Sequence, residues 1–182
     1  YLVGPGSNAG FLAAARLQRA GAPLYRTAET FESDGRAYAP GTWLVPPTRE
    51  AAGILEGVSR ETGLVIGGAN TAPGVPGFRM RAPTRVGLWR AANNMPGGWM
   101  RWLFEQYELG HLEISSLDFD HDLSEKYDVI VLPAGTTRTR IVFGLDPERH
   151  DENWRWAYGV GDEGWRKLAQ WVRDGGTLVA LG

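Results

Sequence analysis

The sequence predicts an α/β protein, and three observations favour this class. Short runs rich in Val, Ile, Leu and Trp alternate with stretches that carry apolar residues at helical spacing. Residues 127–133 contain four consecutive aliphatic residues and end at a proline. Such a run has no polar side, so it indicates a strand covered on both faces, as at the centre of a parallel sheet. The second half of the chain has the predicted order β-α-β-β-α-β, which is common in α/β domains.

Residues 1–70 are predicted to form a small α/β domain. Four apolar runs indicate strands, at residues 2–3, 23–26, 41–46 and 64–66. A hairpin over residues 31–38 is predicted to turn at Asp34-Gly35, a pair that tolerates the positive φ angles of a tight turn. Two helices are predicted, each between a capping side chain and a terminating glycine: Asn8 with Gly21, and Thr48 with Gly63.

Residues 67–83 separate the two halves of the chain. This stretch holds four glycines and three prolines in seventeen residues and has no apolar period. We therefore expect a Gly/Pro-rich linker over residues 71–83, followed by a second α/β domain over residues 84–182.

The second half is predicted to contain four strands, at residues 85–89, 111–117, 127–133 and 177–181. A glycine-bearing turn over residues 93–98 leads into a helix. Asp162 is predicted to cap a later helix that ends at Gly175-Gly176. Residues 136–158 are a polar and aromatic insertion without a clear period.

Composition limits the classes of partner. The net charge is −2 and both signs are interleaved along the 182 residues, so the sequence has no electrostatic footprint for nucleic acid or for an anionic membrane. The chain has no cysteine, which excludes disulfides, thiolate metal sites and a cysteine nucleophile within it. No run of about 18 apolar residues occurs. We expect neither a nucleic-acid partner nor a membrane partner.

The carboxyl ends of the predicted parallel strands are the expected position of a ligand pocket, because ligands of such sheets bind there. The loop after the central strand and the residue after the last strand lie at this edge. Two arginines follow the loop, and their guanidinium groups could hold an anionic ligand; a solvated loop is the alternative. The candidate pocket residues are Pro133, Ala134, Gly135, Arg138, Arg140 and Gly182.

An aromatic group stands out in the insertion. Trp154, Trp156 and Tyr158 occur where no helical or strand period calls for apolar residues. They are candidates for a surface that contacts carbohydrate or protein. The alternative is that the rings are buried in the core or between domains, since each covers a large apolar area.

One short stretch carries residue types that bind metals. Asp118, Asp120 and His121 are weak candidates for a metal site. The favoured interpretation is ordinary helix capping with solvated charges, because no second ligand group at a defined spacing accompanies them. We therefore expect no metal and no other cofactor in this chain.

A catalytic alternative stays open. A stand-alone hydrolase or transferase with its site at the same strand ends would need a hydroxyl nucleophile, such as Ser115, Thr136 or Thr137. Such a hydroxyl needs a neighbouring base. His111 or His121 within hydrogen-bond reach of it would favour this alternative.

Several stretches of the second half resemble a known domain. Residues 85–89, 98–107, 127–133 and 175–182 are similar to the class I glutamine amidotransferase-like domain that follows the catalytic domain in bacterial zinc carboxypeptidase-like proteins. The most specific piece is Gly98-Trp99-x-x-Trp102-Leu103. The first half resembles the segment that joins the two domains, through the helix after Asn8 and the series from residue 34 to residue 46.

The resemblance implies a flavodoxin-like, doubly wound and mainly parallel sheet for the second domain. It also implies that the chain is a fragment truncated at its C-terminus, in a periplasmic or secreted protein. Zinc would be bound only by an upstream peptidase domain, which would be the partner of this chain, with a peptide or cell-wall ligand as a further partner. Exposed tryptophans would then remain where the peptidase domain contacts this region.

The resemblance does not carry the amidotransferase activity. In active relatives a nucleophilic cysteine follows the strand that corresponds to residues 177–181, at or just beyond Gly182. Since the chain has no cysteine, we expect an inactive relative with a non-catalytic accessory or binding role.

Overall fold

A computed structural model of the chain describes residues 1–81 and 83–182; Ala82, which falls in the predicted linker, lies outside the described residues. The chain divides into two compact units. The first comprises Tyr1–Pro83 and Tyr107–Leu109, and the second comprises Thr84–Gln106 and Gly110–Gly182. Both units mix helices with strands, so the predicted α/β class is confirmed.

The first unit has an antiparallel sheet with the strand order β1-β5-β2-β6 and a separate β3-β4 hairpin. Its elements are β1 (Leu2–Val3), α1 (Ala9–Arg19), β2 (Tyr25–Thr27), β3 (Phe31–Ser33), β4 (Arg36–Tyr38), β5 (Trp43–Leu44), α2 (Arg49–Thr62) and β6 (Gly77–Arg79). Helices α1 and α2 pack together over a core that includes the fully buried Leu17, Leu55 and Val58.

Local chemistry sets the ends of α2 and the hairpin as predicted. The Thr48 side chain accepts a hydrogen bond from the Ala51 amide at 3.0 Å, and Gly63 ends the helix at a φ of 71°. In the hairpin, Asp34 and Gly35 have φ values of 49° and 72°. These angles match the turn that joins two closely paired strands.

Three expectations for the first unit are wrong. Asn8 occupies the N-cap position of α1, but its side chain makes no capping hydrogen bond. Residues 64–66 form no strand; the chain makes only an isolated bridge between Gly67 and Leu2, and Val65 is 64% exposed. Conversely, β6 forms inside the stretch that was expected to be linker and pairs with β2. A Cβ atom on Gly77 would lie 3.0 Å from the Arg26 carbonyl oxygen. The glycine that suggested an irregular segment therefore permits a close strand pairing.

The second unit has a parallel four-stranded sheet with the order β10-β9-β7-β8. Its elements are β7 (Val86–Trp89), α3 (Met95–Gln106), β8 (Leu112–Ile114), α4 (Leu123–Lys126), β9 (Val129–Leu132), α5 (Arg138–Phe143), α6 (Gly161–Arg173) and β10 (Thr177–Ala180). Short 3₁₀ helices precede α4 and α6 at Ser116–Asp120 and Glu152–Ala157. Within the described residues, no helix combines the length and apolar content needed to cross a membrane.

Strand β9 has neighbours on both sides and carries the core of the second unit. Ile130, Val131 and Leu132 are only 1%, 6% and 5% exposed. Ile130 and Leu132 belong to a buried cluster with residues of α4, α5 and α6. Side chains alternate between the two faces of a strand, so Val131 lies on the opposite face. The expectation that this apolar run is a strand in a parallel sheet is confirmed.

Several boundaries in the second unit differ from the expected ones. The strand predicted at residues 111–117 ends at Ile114, because Ser115 and Asp118 form a reciprocal capping box that starts a 3₁₀ helix. Asp162 does not cap α6; Val160 occupies the N-cap position and Asp162 lies in the first turn.

An ion pair joins the amino ends of two neighbouring strands. Arg85 precedes β7 and Asp128 precedes β9; Nη2 of Arg85 lies 2.6 Å from Oδ1 of Asp128, and its Nε lies 3.1 Å from Oδ2. The Arg85 backbone amide also donates to Oδ2 at 2.8 Å. These hydrogen bonds lower the pKa of the Asp128 carboxyl to about 2. Those from the Arg85 side chain have the largest effect, and the one from its backbone amide has the next largest.

We predict that Asp128→Asn lowers the free energy of unfolding at neutral pH. We also predict that this free energy decreases less in the variant than in wild type as the pH is lowered. A depressed folded-state pKa gives stability that is present above the unfolded value of about 4 and is lost as pH falls toward about 2. Urea unfolding between pH 7 and pH 2 measures this. Wild type should lose more free energy of unfolding below about pH 4 than the variant does.

Asp120→Asn is the matched control, since it removes an exposed aspartate that is not part of this pair. It should keep the wild-type pH dependence. Parallel pH curves for wild type and Asp128→Asn would contradict the role assigned to the ion pair.

Candidate functional site

The carboxyl ends of β7 and β9 form the candidate site. From β7 the chain goes to β8 on one side of the sheet and then to β9 on the other, so the strand order reverses between β7 and β9. Ligands of open α/β sheets bind at such a reversal. The residues after β7 and the loop after β9 meet here: a Cβ on Gly97 would lie 3.6 Å from Cγ of Pro133.

The predicted loop after β9 lies at this edge. Pro133 is fully buried, and Gly135 has a φ of 77°, which favours glycine. The Thr136 amide donates to the Pro133 carbonyl at 3.1 Å and closes the turn. Gly182 follows β10 and is exposed; it does not line either of the two cavities described below.

Asn94 links the two loops of the edge. Its Oδ1 accepts from the Gly97 amide at 3.1 Å, which caps α3, and its Nδ2 donates to Oγ1 of Thr136 at 3.1 Å. Sequence reasoning missed this residue. The signal was present, because an asparagine followed closely by Pro96 in the first helical turn is a typical helix start.

The three candidate nucleophile hydroxyls all make local structural contacts. Thr136 Oγ1 accepts the bond from Asn94, and Thr137 Oγ1 accepts from the Arg140 amide at 3.2 Å and caps α5. Ser115 Oγ lies 3.3 Å from Oδ2 of Asp118 in the capping box. None of these contacts is with a histidine.

The structure separates the two predicted arginines. Arg138 pairs with Asp162 at 2.8 Å and lies 5.5 Å from the ring of Trp165. Arg140 lines a different cavity with Asn93 and Tyr158. Among the described residues, no ion pair involves Arg140, whereas Arg138 is already paired.

This cavity has a volume of about 180 Å³ and lies at the end of β7. Its lining residues are Trp89, Arg90, Ala91, Ala92, Asn93, Arg140, Gly144, Leu145, Ala157 and Tyr158. The lining contains two arginines and no carboxylate. A smaller cavity of about 150 Å³ adjoins the start of α3 and contains Glu113 along with Arg90 and Arg101.

Arg90 lines both cavities. Its Nη1 lies 3.2 Å from Oε2 of Glu113, and its Cζ lies 3.8 Å from the ring centre of Trp156. Trp156 in turn packs against Trp154, with ring centres 5.9 Å apart. Trp154 is 44% exposed, so the aromatic pair reaches the surface.

Backbone contacts join residues 144–145 to residues 157–159, and these two segments form the base of the insertion. The Leu145 amide donates to the Ala157 carbonyl at 2.9 Å, and Gly144 bridges Tyr158. Cβ atoms on Gly144 and Gly159 would lie 2.3 Å and 2.0 Å from backbone atoms of the opposite segment. Only glycine can occupy these two positions, because the backbone segments come so close together. No periodic pattern in the sequence predicted this contact.

The Tyr158 hydroxyl contacts two backbone carbonyls of the insertion. That hydroxyl lies 2.7 Å from the His150 carbonyl and 2.9 Å from the Asp151 carbonyl. Of the three residues predicted to form a contact surface, Trp154 is exposed, whereas Trp156 and Tyr158 are half-buried.

The acidic stretch has a capping role. Asp118 accepts hydrogen bonds from the Ser115 amide at 2.9 Å and the Tyr127 hydroxyl at 3.0 Å, and it pairs with Lys126 at 3.3 Å. Burial opposes ionisation of this carboxyl, but the three contacts outweigh it and lower the pKa. The helix α4 is capped by Asp122, not by Asp120.

The other two metal candidates, Asp120 and His121, are exposed. Within residues 1–81 and 83–182, no group of three or more His, Asp or Glu side chains has an arrangement that could hold a metal ion.

Comparison of the chain with protein-family models, with curated proteins and with solved structures finds no match in any of the three. These comparisons therefore assign no family to the chain.

We predict that Asn94→Ala destabilises the protein by about 1 kcal/mol, the usual cost of losing a helix cap. The bond to Thr136 adds a second effect, which a double-mutant cycle with Thr136→Val isolates by urea unfolding. If Asn94 joins the two loops, the double variant should lose less than the sum of the single losses. Additivity within about 0.3 kcal/mol would contradict the link.

Proposed function

We propose that this chain is a non-catalytic accessory and binding region of a zinc carboxypeptidase-like protein. In this proposal the second unit is an inactive, class I glutamine amidotransferase-like domain with a flavodoxin-like sheet. Its carboxyl edge binds a ligand, for which a peptide or cell-wall fragment is the proposed class. An upstream peptidase domain is the proposed partner and the proposed holder of zinc, in a periplasmic or secreted protein.

The strand order supports the flavodoxin-like assignment. If the four parallel strands are numbered along the chain, they lie in the order 2-1-3-4 across the sheet. This is the order of the first four strands in flavodoxin-like sheets. The fold alone carries no activity, because the same architecture supports many functions.

The engagement of the Thr136 and Thr137 hydroxyls is the observation that carries the non-catalytic proposal. A serine or threonine nucleophile needs a base that removes its proton. Thr136 instead accepts a hydrogen bond from a side-chain amide, and Thr137 accepts one from a backbone amide. Neither donor is a base, so these contacts favour structural roles.

The exposed tryptophans of α3 support a domain partner. Trp99 and Trp102, which belong to the most specific piece of the resemblance, are 61% and 48% exposed, with ring centres 6.0 Å apart. Met95, on the same helix, is 76% exposed. Exposed aromatic residues are frequent in the centre of protein interfaces, and the proposal places the peptidase domain on this surface.

A second candidate function is a carbohydrate- or protein-binding module centred on the insertion. The specific observation in its favour is that Trp154 is 44% exposed and packs against Trp156. This function would also be non-catalytic.

The proposal predicts different behaviour for this chain and for the longer protein. Reading the coding sequence upstream of Tyr1 should show a His-x-x-Glu pair and a distant histidine, the zinc ligands of such peptidases. In calorimetric titrations the longer protein should bind zinc stoichiometrically and this chain should not. The longer protein should release C-terminal amino acids from peptides, and a chelator should abolish this release.

The hydrolase alternative gives the opposite results. Peptide or ester hydrolysis by this chain alone, lost in Thr136→Val or Thr137→Val and retained in the control Thr139→Val, would overturn the proposal. Tight stoichiometric zinc binding by this chain alone would also overturn it.

A further inference from the structure

We propose that the cavity between the end of β7 and the base of the insertion binds the carboxylate of a small organic ligand, with Arg140 as its main cation and Arg90 as its second. This inference deepens the proposed function, because it takes the carboxyl edge as a ligand site and names the chemistry of the ligand. The predicted anion site is retained for Arg140, but its partner is Arg90 in place of Arg138.

The charge of the cavity wall is the first reason. Two arginines and Asn93 line the cavity, and the lining contains no aspartate or glutamate. Among the described residues Arg140 makes no ion pair, whereas Arg90 is partly neutralised by Glu113 at 3.2 Å. A guanidinium has five N–H donors, so this pair does not exhaust Arg90. An anion would therefore be attracted chiefly by Arg140.

The rigidity of the wall is the second reason. Ion pairing and the ring of Trp156 hold Arg90 on one side. On the other side, the glycine contacts and the Tyr158 hydroxyl bonds fix the base of the insertion. Asn93 has a φ of 54°, in the left-handed region that asparagine adopts more often than most residues other than glycine. Preformed donors bind more tightly, since less ordering is required.

The size and apolar content of the cavity select an organic acid. A volume of about 180 Å³ corresponds to roughly six water molecules of about 30 Å³ each. This suits a carboxylate together with one small residue. Half of the lining is apolar, from Trp89, Ala91, Ala92, Leu145 and Ala157. A bare phosphate or sulfate would leave that surface uncovered, whereas the hydrocarbon beside a carboxylate would contact it.

The test uses N-acetylalanine, its neutral amide N-acetylalaninamide, and inorganic phosphate as probes of the purified chain. Two-dimensional ¹H–¹⁵N NMR follows the amides of the cavity wall during each titration at low salt. We expect N-acetylalanine to shift the amides of Ala91, Ala92, Asn93 and Leu145 saturably. The amide and phosphate should bind at least about tenfold more weakly, because each lacks one of the two matched parts.

Arg140→Gln should weaken N-acetylalanine binding by about tenfold or more, as expected for loss of a charge-assisted hydrogen bond. The matched control is Arg149→Gln, on the same insertion but outside the cavity lining. It should bind as wild type does. A dispersed spectrum of each variant shows that it is folded. If Arg140→Gln is unfolded, Arg140→Lys, which keeps a positive charge at this position, is tested in its place.

Three results would overturn the inference. They are equal binding of acid and amide, tighter binding of phosphate than of N-acetylalanine, and unchanged binding by both Arg140 variants. Absence of shifts at the cavity up to about 20 mM N-acetylalanine, beyond the weak range of about 1 mM, would also overturn it. None of these results bears on zinc binding or hydrolysis, so the proposed non-catalytic role succeeds or fails separately.

Discussion

The pairing of β9 with β7 on one side and β10 on the other is the constraint on which the second unit depends. All four residues of β9 pair with β10 in parallel register, and three of them are almost fully buried. A strand of this kind has no polar face to expose, so helices must cover it. Strand β7 carries its own requirement: a Cβ on Gly87 would lie 2.7 Å from the ring of Tyr127. Glycine at that position lets the tyrosine ring pack against β7.

The candidate site is a consequence of this sheet. Because β7 and β9 are parallel neighbours, the residues that follow them emerge at one edge, where Asn94 and Thr136 form a hydrogen bond. The part of the insertion that follows α5 then supplies the outer wall of the cavity. Its base is held by two glycines whose missing side chains allow backbone segments to touch. Arg90 and Arg140 come from different segments and meet in one lining only through this arrangement.

Sequence reasoning predicted the features that depend on local chemistry. The caps of α2, the Asp34-Gly35 turn and the apolar run of β9 each use a few adjacent residues. It failed where a distant segment decides the outcome. The Gly/Pro-rich stretch conceals β6, because its partner β2 lies about fifty residues earlier along the chain. Residues 64–66 look like a strand, but only the following Gly67 pairs with β1, through an isolated bridge to Leu2.

The candidate site was predictable in position but not in composition. Parallel strands place a site at their carboxyl ends, and the loop after β9 lies there as expected. Arg138 and Arg140 were grouped because they are close in sequence, but residues two apart on a helix point in different directions. One therefore pairs with Asp162 and the other lines the cavity. Arg90 was missed because only the folded chain brings it to the insertion. Asn94 could have been predicted as a helix cap, but only the folded chain shows its bond to Thr136.

Hydrogen exchange of the β9 amides tests the central claim, that this strand sets the second unit and the edge beyond it. Native-state exchange at increasing urea compares the amides of Val131 and Leu132 with those of the insertion. We expect the β9 amides to exchange only through global unfolding, with the largest free energy and the steepest urea dependence in the unit. Exchange of β9 as fast as that of the exposed segment 146–153 would contradict the claim.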